Sequence, residues 1–170
     1  MKIILLILGT LVPAQGEWKT FSPDAGHFSV QMPGTPAEFK KTLEAPGGAV
    51  EVLVYELAVP GTEGKFAVSY FDIPEASAKP GTEDKRLDNA RDGAVASSKG
   101  KLKREKSLLL DTYPGREITI EIEGKGLVMV RLYAVRNRLY QVMAVGPSDL
   151  VTSQDAQKFL GSFRLASQKR

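Results

Sequence analysis

The stretch from residue 127 to 135, LVMVRLYAV, carries apolar side chains at both odd and even positions. Successive side chains of a strand point to opposite faces of its sheet, so a strand of this kind must be covered on both faces. Residues 50 to 59 and 139 to 145 show a similar pattern. The chain therefore needs a central sheet with a covering layer on each side.

Strand and turn patterns occupy most of the chain after residue 17. Short β-rich stretches alternate with turns that contain Pro or Gly, and they predict strands at 18–21, 27–32, 38–43, 50–59, 65–73, 102–110, 116–123, 127–135 and 139–145. In 117–123 three isoleucines alternate with Glu and Thr side chains. This alternation predicts a strand with one solvent-facing side, on which Glu117 lies.

Two amphipathic helices are predicted, and they are far apart in the sequence. Apolar residues at helical spacing indicate a helix at 83–98, with Thr82 as its cap and Gly100 at its end, and another at about 152–163. We therefore expect an α+β fold in which an antiparallel β-sheet has helices packed on both faces, an α/β/α sandwich. A closed barrel with a ligand-filled interior is the competing arrangement.

Residues 1–16 form a separate block with the layout of a secretory signal peptide. Lys2 precedes a ten-residue apolar run, which is too short to span a bilayer, and small residues follow at Ala14 and Gly16. We expect cleavage before Glu17, a single α+β domain at 17–170, a periplasmic or secreted location and no stable membrane insertion. The chain has no cysteine, which excludes disulfides, thiolate metal sites and an acylated cysteine anchor.

Four segments resemble small exported bacterial proteins with the PsbP-like fold. They are residues 18–21 (WKTF), 26–36 (GHFSVQMPGTP), 131–133 with 138–142 (RLY and RLYQV), and 159–164 (FLGSFR). The family is named for an extrinsic subunit of the photosynthetic oxygen-evolving complex. The resemblance spans nearly all of 17–170 and implies a binding or assembly role rather than catalysis. It assigns no functional residue.

Catalytic and cofactor motifs are weak in this chain. His27 is the single imidazole and follows a Gly-containing turn, which is typical of a surface loop residue. Asp84, Asp88 and Asp92 share a helix face at a spacing that could hold a hard cation, but basic residues interleave with them, as on a solvated face. The glycine pairs lie between predicted strands, so no phosphate loop is present. We expect no catalytic residue, no metal and no cofactor.

One charge cluster could bind an anionic partner, and it consists of Lys99, Lys101, Lys103, Arg104 and Lys106. It could attract an acidic polymer, an anionic lipid surface or an acidic protein. The alternative is that these cations protect an exposed sheet edge from pairing with another chain.

Arg131 stands on a strand face with Met129 and Tyr133, where an apolar side chain is expected. It either reaches an edge or a carboxylate, or marks with Tyr133 a pocket for an anionic ligand.

These observations predict a non-catalytic binding or assembly module of the cell envelope, whose partner is another envelope protein and not nucleic acid. A small-molecule or lipid carrier with a pocket between sheet and helix is the first alternative. A carboxylate-dependent hydrolase is the second.

Overall fold

The computed structural model describes residues 17–45, 48–74 and 78–166. The signal peptide predicted at residues 1–16 lies outside the described residues. Ten strands and three α-helices occupy the described part, together with a short 3-10 helix at Asp24–Gly26. None of the described helices is long and apolar enough to cross a membrane.

The strands and helices have the following bounds, in chain order. The strands are β1 (Lys19–Phe21), β2 (Phe28–Met32), β3 (Ala37–Ala45), β4 (Gly48–Ala58), β5 (Lys65–Asp72), β6 (Lys101–Leu110), β7 (Tyr113–Ile122), β8 (Gly126–Val135), β9 (Arg138–Gly146) and β10 (Arg164–Leu165). The helices are α1 (Glu83–Ser98), α2 (Ser148–Val151) and α3 (Gln154–Gly161).

Seven strands form one antiparallel sheet in the order β3-β4-β5-β9-β8-β7-β6. Two meanders, β3–β5 and β6–β9, are joined through α1, and β5 pairs with β9. The sheet is open, with β3 and β6 at its edges. The α+β class and the antiparallel sheet are confirmed, and the competing closed barrel is wrong because β3 and β6 do not meet.

A second, three-stranded antiparallel sheet has the order β1-β2-β10. In it Phe28 of β2 pairs with Leu165 of β10, residues that lie far apart in the sequence. The sequence patterns predicted β2 as a strand but did not predict this sheet. The short helix α2 was also not predicted, since four residues are too few for a helical period to show.

Two hydrophobic clusters pack against the large sheet. The first contains β2, α2 and α3 with alternate residues of β5 and β9, and its aromatic rings stack closely, as Phe66 does on Phe159 with 4.7 Å between centroids. The second places Leu87 of α1 against Ile118, Ile120 and Leu132 of β7 and β8. Burying these side chains supplies the main driving force for folding.

The residues that cap α1 and α3 agree only in part with the sequence prediction. Ser153 caps α3, with its hydroxyl accepting a hydrogen bond from the Ala156 amide at 3.1 Å. Thr82 precedes α1 as predicted, but its hydroxyl instead donates to the Lys79 carbonyl. At the end of α1 the left-handed residue is Lys99 (φ 53°), while a Cβ on Gly100 would lie 2.5 Å from Ile120. Gly100 is therefore required by close packing.

Candidate functional site

Strand β6 is an edge strand, and it carries most of the basic cluster. All its residues from Lys101 to Ser107 are exposed, and within the described ranges no strand pairs with its outer side. The close packing of Gly100 against Ile120 brings the chain from α1 directly alongside β7. The cations that follow in sequence therefore line one side of the domain.

The structure divides the five predicted cations into two groups. Lys103 pairs with Glu121 at 3.0 Å and Lys106 with Glu117 at 2.9 Å, and both carboxylates belong to β7. Among the residues that the structure describes, no carboxylate lies within 4.0 Å of the other three, Lys99, Lys101 and Arg104. The surface therefore keeps an excess of positive charge.

An open cavity of about 460 Å³ adjoins the Lys101 end of β6. Lys99 and Lys101 line it together with Lys125, which lies in the turn between β7 and β8. Glu121 and Glu123 also reach it, and Glu121 is already paired with Lys103. Lys125 was not predicted as a member of the cluster, because only the pairing of β6 with β7 places that turn beside the end of α1. We call Lys99, Lys101, Lys103, Arg104, Lys106 and Lys125 the cationic edge surface.

The edge also has a feature that opposes pairing with another strand. The register between β6 and β7 shifts between Leu102 and Arg104, which leaves Lys103 in a bulge. Bulges and lysines on an edge hinder the addition of a further strand. A partner would therefore meet the side chains of this surface rather than its backbone.

The aspartates of α1 contact basic side chains. Asp88 accepts hydrogen bonds from Arg91 at 3.0 Å and from Arg116 of β7, and Arg116 also reaches Glu105 of β6 at 2.7 Å. A hydrogen bond to Asp92 is the largest of the effects that raise the pKa of Arg91 above its ordinary value. This network joins α1 to β6 and β7. In the described residues no group of three His, Asp or Glu side chains is arranged to hold a metal ion.

Arg131 is paired with a carboxylate. Its Nε donates to Glu117 at 2.7 Å, and its Nη1 donates to the Leu160 carbonyl of α3 at 3.1 Å. Its strand neighbour Tyr133 is buried and stacks on Phe163, with 5.7 Å between ring centroids. That Arg131 and Tyr133 form an anion pocket stays a prediction.

Glu117 is 8% exposed, so the expectation that it lies on a solvent-facing side is wrong. Lys106 and Arg131, its direct partners on β6 and β8, flank it. Burial by itself would raise the pKa of Glu117, but hydrogen bonds and charges from Lys106 and Arg131 outweigh burial and lower it. The carboxylate is therefore ionised at neutral pH. Two neighbouring strands supply the charges that make its burial tolerable.

His27 lies at the surface, as expected, in the left-handed conformation (φ 51°) that ends the 3-10 helix. It is exposed and forms part of a second cavity, near the other end of β6. Four of the residues around that cavity, Asp72, Arg136, Asn137 and Arg138, were not singled out from the sequence. Three of them are consecutive in the β8–β9 turn and at the start of β9, and folding of the sheet brings Asp72 of β5 beside them.

Comparison with known proteins shows the fold. No family model matches the chain, and no curated protein matches its sequence. Among solved structures, the solution structure of cyanobacterial PsbP (CyanoP) from Synechocystis sp. PCC 6803 superposes with a TM-score of 0.60. The match covers 93% of this chain and 98% of that one, at 12% sequence identity. The chain therefore has a PsbP-like fold, and the resemblance noted in the sequence is confirmed at the level of the fold.

Proposed function

We propose that this chain is an exported, non-catalytic binding module of the cell envelope, and that its cationic edge surface docks an acidic segment of another protein. The observation that carries the proposal is the charge excess of an exposed edge. Lys99, Lys101 and Arg104 have no carboxylate partner within 4.0 Å in the described part of the chain. A surface of one charge sign raises the rate of encounter with a partner of the opposite sign.

An extended acidic segment suits the shape of this surface. Four of the cations lie within the first six residues of β6, and this half of the strand adjoins the cavity that Lys101 and Lys125 line. The bulge at Lys103 disfavours pairing through the backbone, so the contacts would be between side chains. Since such contacts are exposed to solvent, the complex is expected to weaken as salt is added.

Several features support a role without catalysis. The single imidazole, His27, is exposed, and the buried carboxylate Glu117 is held between two cations. Asp88, another carboxylate within the fold, is held by arginines. A general base needs a pKa near the working pH, whereas the pKa of Glu117 is lowered. The PsbP-like fold is consistent with a module that works by binding.

A three-layer arrangement is part of the proposal. Leu132 and Tyr133 are adjacent on β8 yet belong to different hydrophobic clusters, which supports α1 on one face of the sheet and α2 with α3 on the other. In this arrangement the small sheet β1-β2-β10 shares the second covering layer. The part of β6 from Lys101 to Ser107 is then exposed at the edge of the sheet, which leaves its cations open to a partner.

The test measures binding of a fluorescent decaglutamate peptide at low and physiological ionic strength. The variant replaces Lys99, Lys101 and Arg104 by Gln, and the matched control replaces Lys40, Lys41 and Lys65, the same loss of charge on other strands. We expect binding that weakens with salt, and a loss of about tenfold in the variant at up to 1 kcal/mol per exposed contact, with the control unchanged.

Three results would overturn the proposal. The first is no binding of the peptide at low ionic strength. The second is an equal loss of peptide affinity in the control variant, which would show that binding depends on the net charge of the protein and not on this surface. The third is binding to vesicles that contain phosphatidylglycerol without binding to the peptide, which would replace the protein partner by a lipid surface.

A further inference from the structure

The second cavity lies near the end of β6 opposite Lys101, between the large sheet and the small sheet. Its volume is about 310 Å³, at the lower end of the range for small-molecule sites. The residues that line it and that the argument uses are His27, Asp72, Tyr113, Arg136, Asn137 and Arg138. They come from four separate parts of the chain, namely the residue before β2, the end of β5, the start of β7, and the β8–β9 turn with the start of β9.

Arg138 and Asp72, two residues of the cavity lining, are held to each other. Arg138 donates to both oxygens of Asp72, at 2.6 Å from Nε and 2.7 Å from Nη2, and its Nη1 donates to the Ala25 carbonyl at 2.9 Å. Its guanidinium also lies 4.5 Å from the centre of the Tyr70 ring. These contacts engage every nitrogen of Arg138 and cancel the charge of Asp72. Neither residue adds net charge to the cavity.

The turn that carries Arg136 is held by hydrogen bonds to two of its backbone carbonyls. The Arg136 carbonyl accepts a hydrogen bond from Nη1 of the buried Arg86 at 2.6 Å, and the Asn137 carbonyl accepts one from the Ile73 amide at 2.7 Å. Arg136 has a φ of 54°, an unfavourable conformation for a residue other than Gly. Its side chain is exposed and makes no hydrogen bond or ion pair with any residue that the structure describes. The backbone is therefore ordered while the guanidinium is available.

His27, which also lines the cavity, is held in a similar way. Its φ is 51°, its amide donates to the Asp24 carbonyl and its own carbonyl accepts a hydrogen bond from the Ala166 amide at 2.9 Å. Two residues other than Gly in the left-handed region thus border one cavity. Such conformations cost about 1 kcal/mol or more each and are frequent at ligand sites.

We propose that this cavity binds a small oxyanion, a carboxylate or phosphate group, with Arg136 as the charged contact and His27, Tyr113 and Asn137 as hydrogen-bonding contacts. With Arg138 and Asp72 cancelling each other, Arg136 supplies the full charge that remains on the lining. A guanidinium matches the two oxygens of a carboxylate or phosphate with two parallel hydrogen bonds. The site does not depend on the cationic edge surface, so either proposal can fail alone.

The single histidine makes the test direct, because its imidazole gives an isolated NMR signal in the untagged chain. Inorganic phosphate and succinate are added separately at constant pH and ionic strength, and the His27 signal is followed. We expect a saturable shift with at least one of them, with an affinity about tenfold lower in Arg136→Gln, since a lost charged hydrogen bond costs about 1.5 kcal/mol.

Lys41→Gln is the matched control, since it removes one exposed positive charge from β3. It is expected to bind as the unchanged chain does. Calorimetry on His27→Asn, whose side chain tolerates the left-handed conformation, provides a second measurement and is expected to show weaker binding.

The proposal is overturned if neither anion gives a saturable shift, or if Arg136→Gln binds as well as Lys41→Gln while both unfold at the same denaturant concentration. It is also overturned if His27 responds to phosphatidylglycerol vesicles but to neither free anion. That result would assign the response to a membrane surface.

Discussion

Glu117 and Arg131 face each other directly across β7 and β8, and the Arg131 Nε donates to the Glu117 carboxylate at 2.7 Å. Lys106 faces Glu117 from the other side, on β6, so three charged residues form one row across three strands. Arg131 also reaches the Leu160 carbonyl near the end of α3, where a positive charge is favourable. The row therefore ties the edge of the sheet to the C-terminal helix.

Loss of Arg131 is expected to destabilise the fold. Arg131→Leu leaves the nearly buried Glu117 with Lys106 as its remaining ion-pair partner in the described part of the chain, and we expect the free energy of unfolding to fall by about 3 kcal/mol. Urea unfolding at neutral pH measures this. Lys103→Gln, which breaks an exposed pair with Glu121, is the control and should cost below about 1 kcal/mol.

A double variant tests whether the buried charge of Glu117 causes the loss of stability in Arg131→Leu. Replacing both Glu117 and Arg131 by Leu removes the buried charge along with its partner, so much of the loss should be recovered. A double variant that is less stable than Arg131→Leu would show that Glu117 contributes through other contacts.

Acid is expected to weaken the fold through Glu117. The pKa of Glu117 is lower in the folded chain than its ordinary value of 4.5, so its ionised form stabilises the fold above that pH. This stabilisation is lost as the pH falls through the lowered pKa. Urea midpoints measured from neutral pH to below this range should therefore drop less steeply in Glu117→Gln than in the unchanged chain. Parallel pH profiles would contradict the assignment.

The contribution of Arg138 to stability is expected to depend on the shape of its guanidinium and not only on its positive charge. Arg138→Lys keeps the charge but loses the two parallel hydrogen bonds to Asp72 and the contact with Tyr70. We expect a loss of about 2 kcal/mol in the free energy of unfolding, whereas exposed Arg104→Lys should change it little. An equally small effect at both positions would mean that a point charge at Arg138 is sufficient.

The two helix caps should respond differently to the same kind of substitution. Ser153→Ala removes the hydrogen bond to the Ala156 amide and should cost about 1 kcal/mol. Thr82→Ala removes a hydroxyl that contacts the Lys79 carbonyl and not the amides of α1, so we expect a smaller loss. Thermal unfolding of both variants compares them. A larger effect at Thr82 would show that the turn before α1 matters more than the cap of α3.

Local patterns predicted most of the strands and helices of this chain to within a few residues. The alternation in β7 and the helical spacing in α1 are set by neighbouring residues, and each pattern reports the geometry of its own segment. The need for cover on both sides of β8 could also be predicted, because both parities of that strand are apolar.

Contacts between segments that are distant in the sequence decided which side chains lie next to one another in the folded chain. The alternation in β7 predicted which face of the sheet carries Glu117. The pairing of β6 and β8 with β7 decided that Glu117 is buried on that face, and that Lys106 and Arg131 contact its carboxylate. The pairing of β2 with β10, the position of Lys125 beside Lys101, and the meeting of His27 with Arg136 depend in the same way on folding. A sequence pattern specifies the direction of a side chain within its own segment, whereas its neighbours are set by the burial and hydrogen bonding of the whole chain.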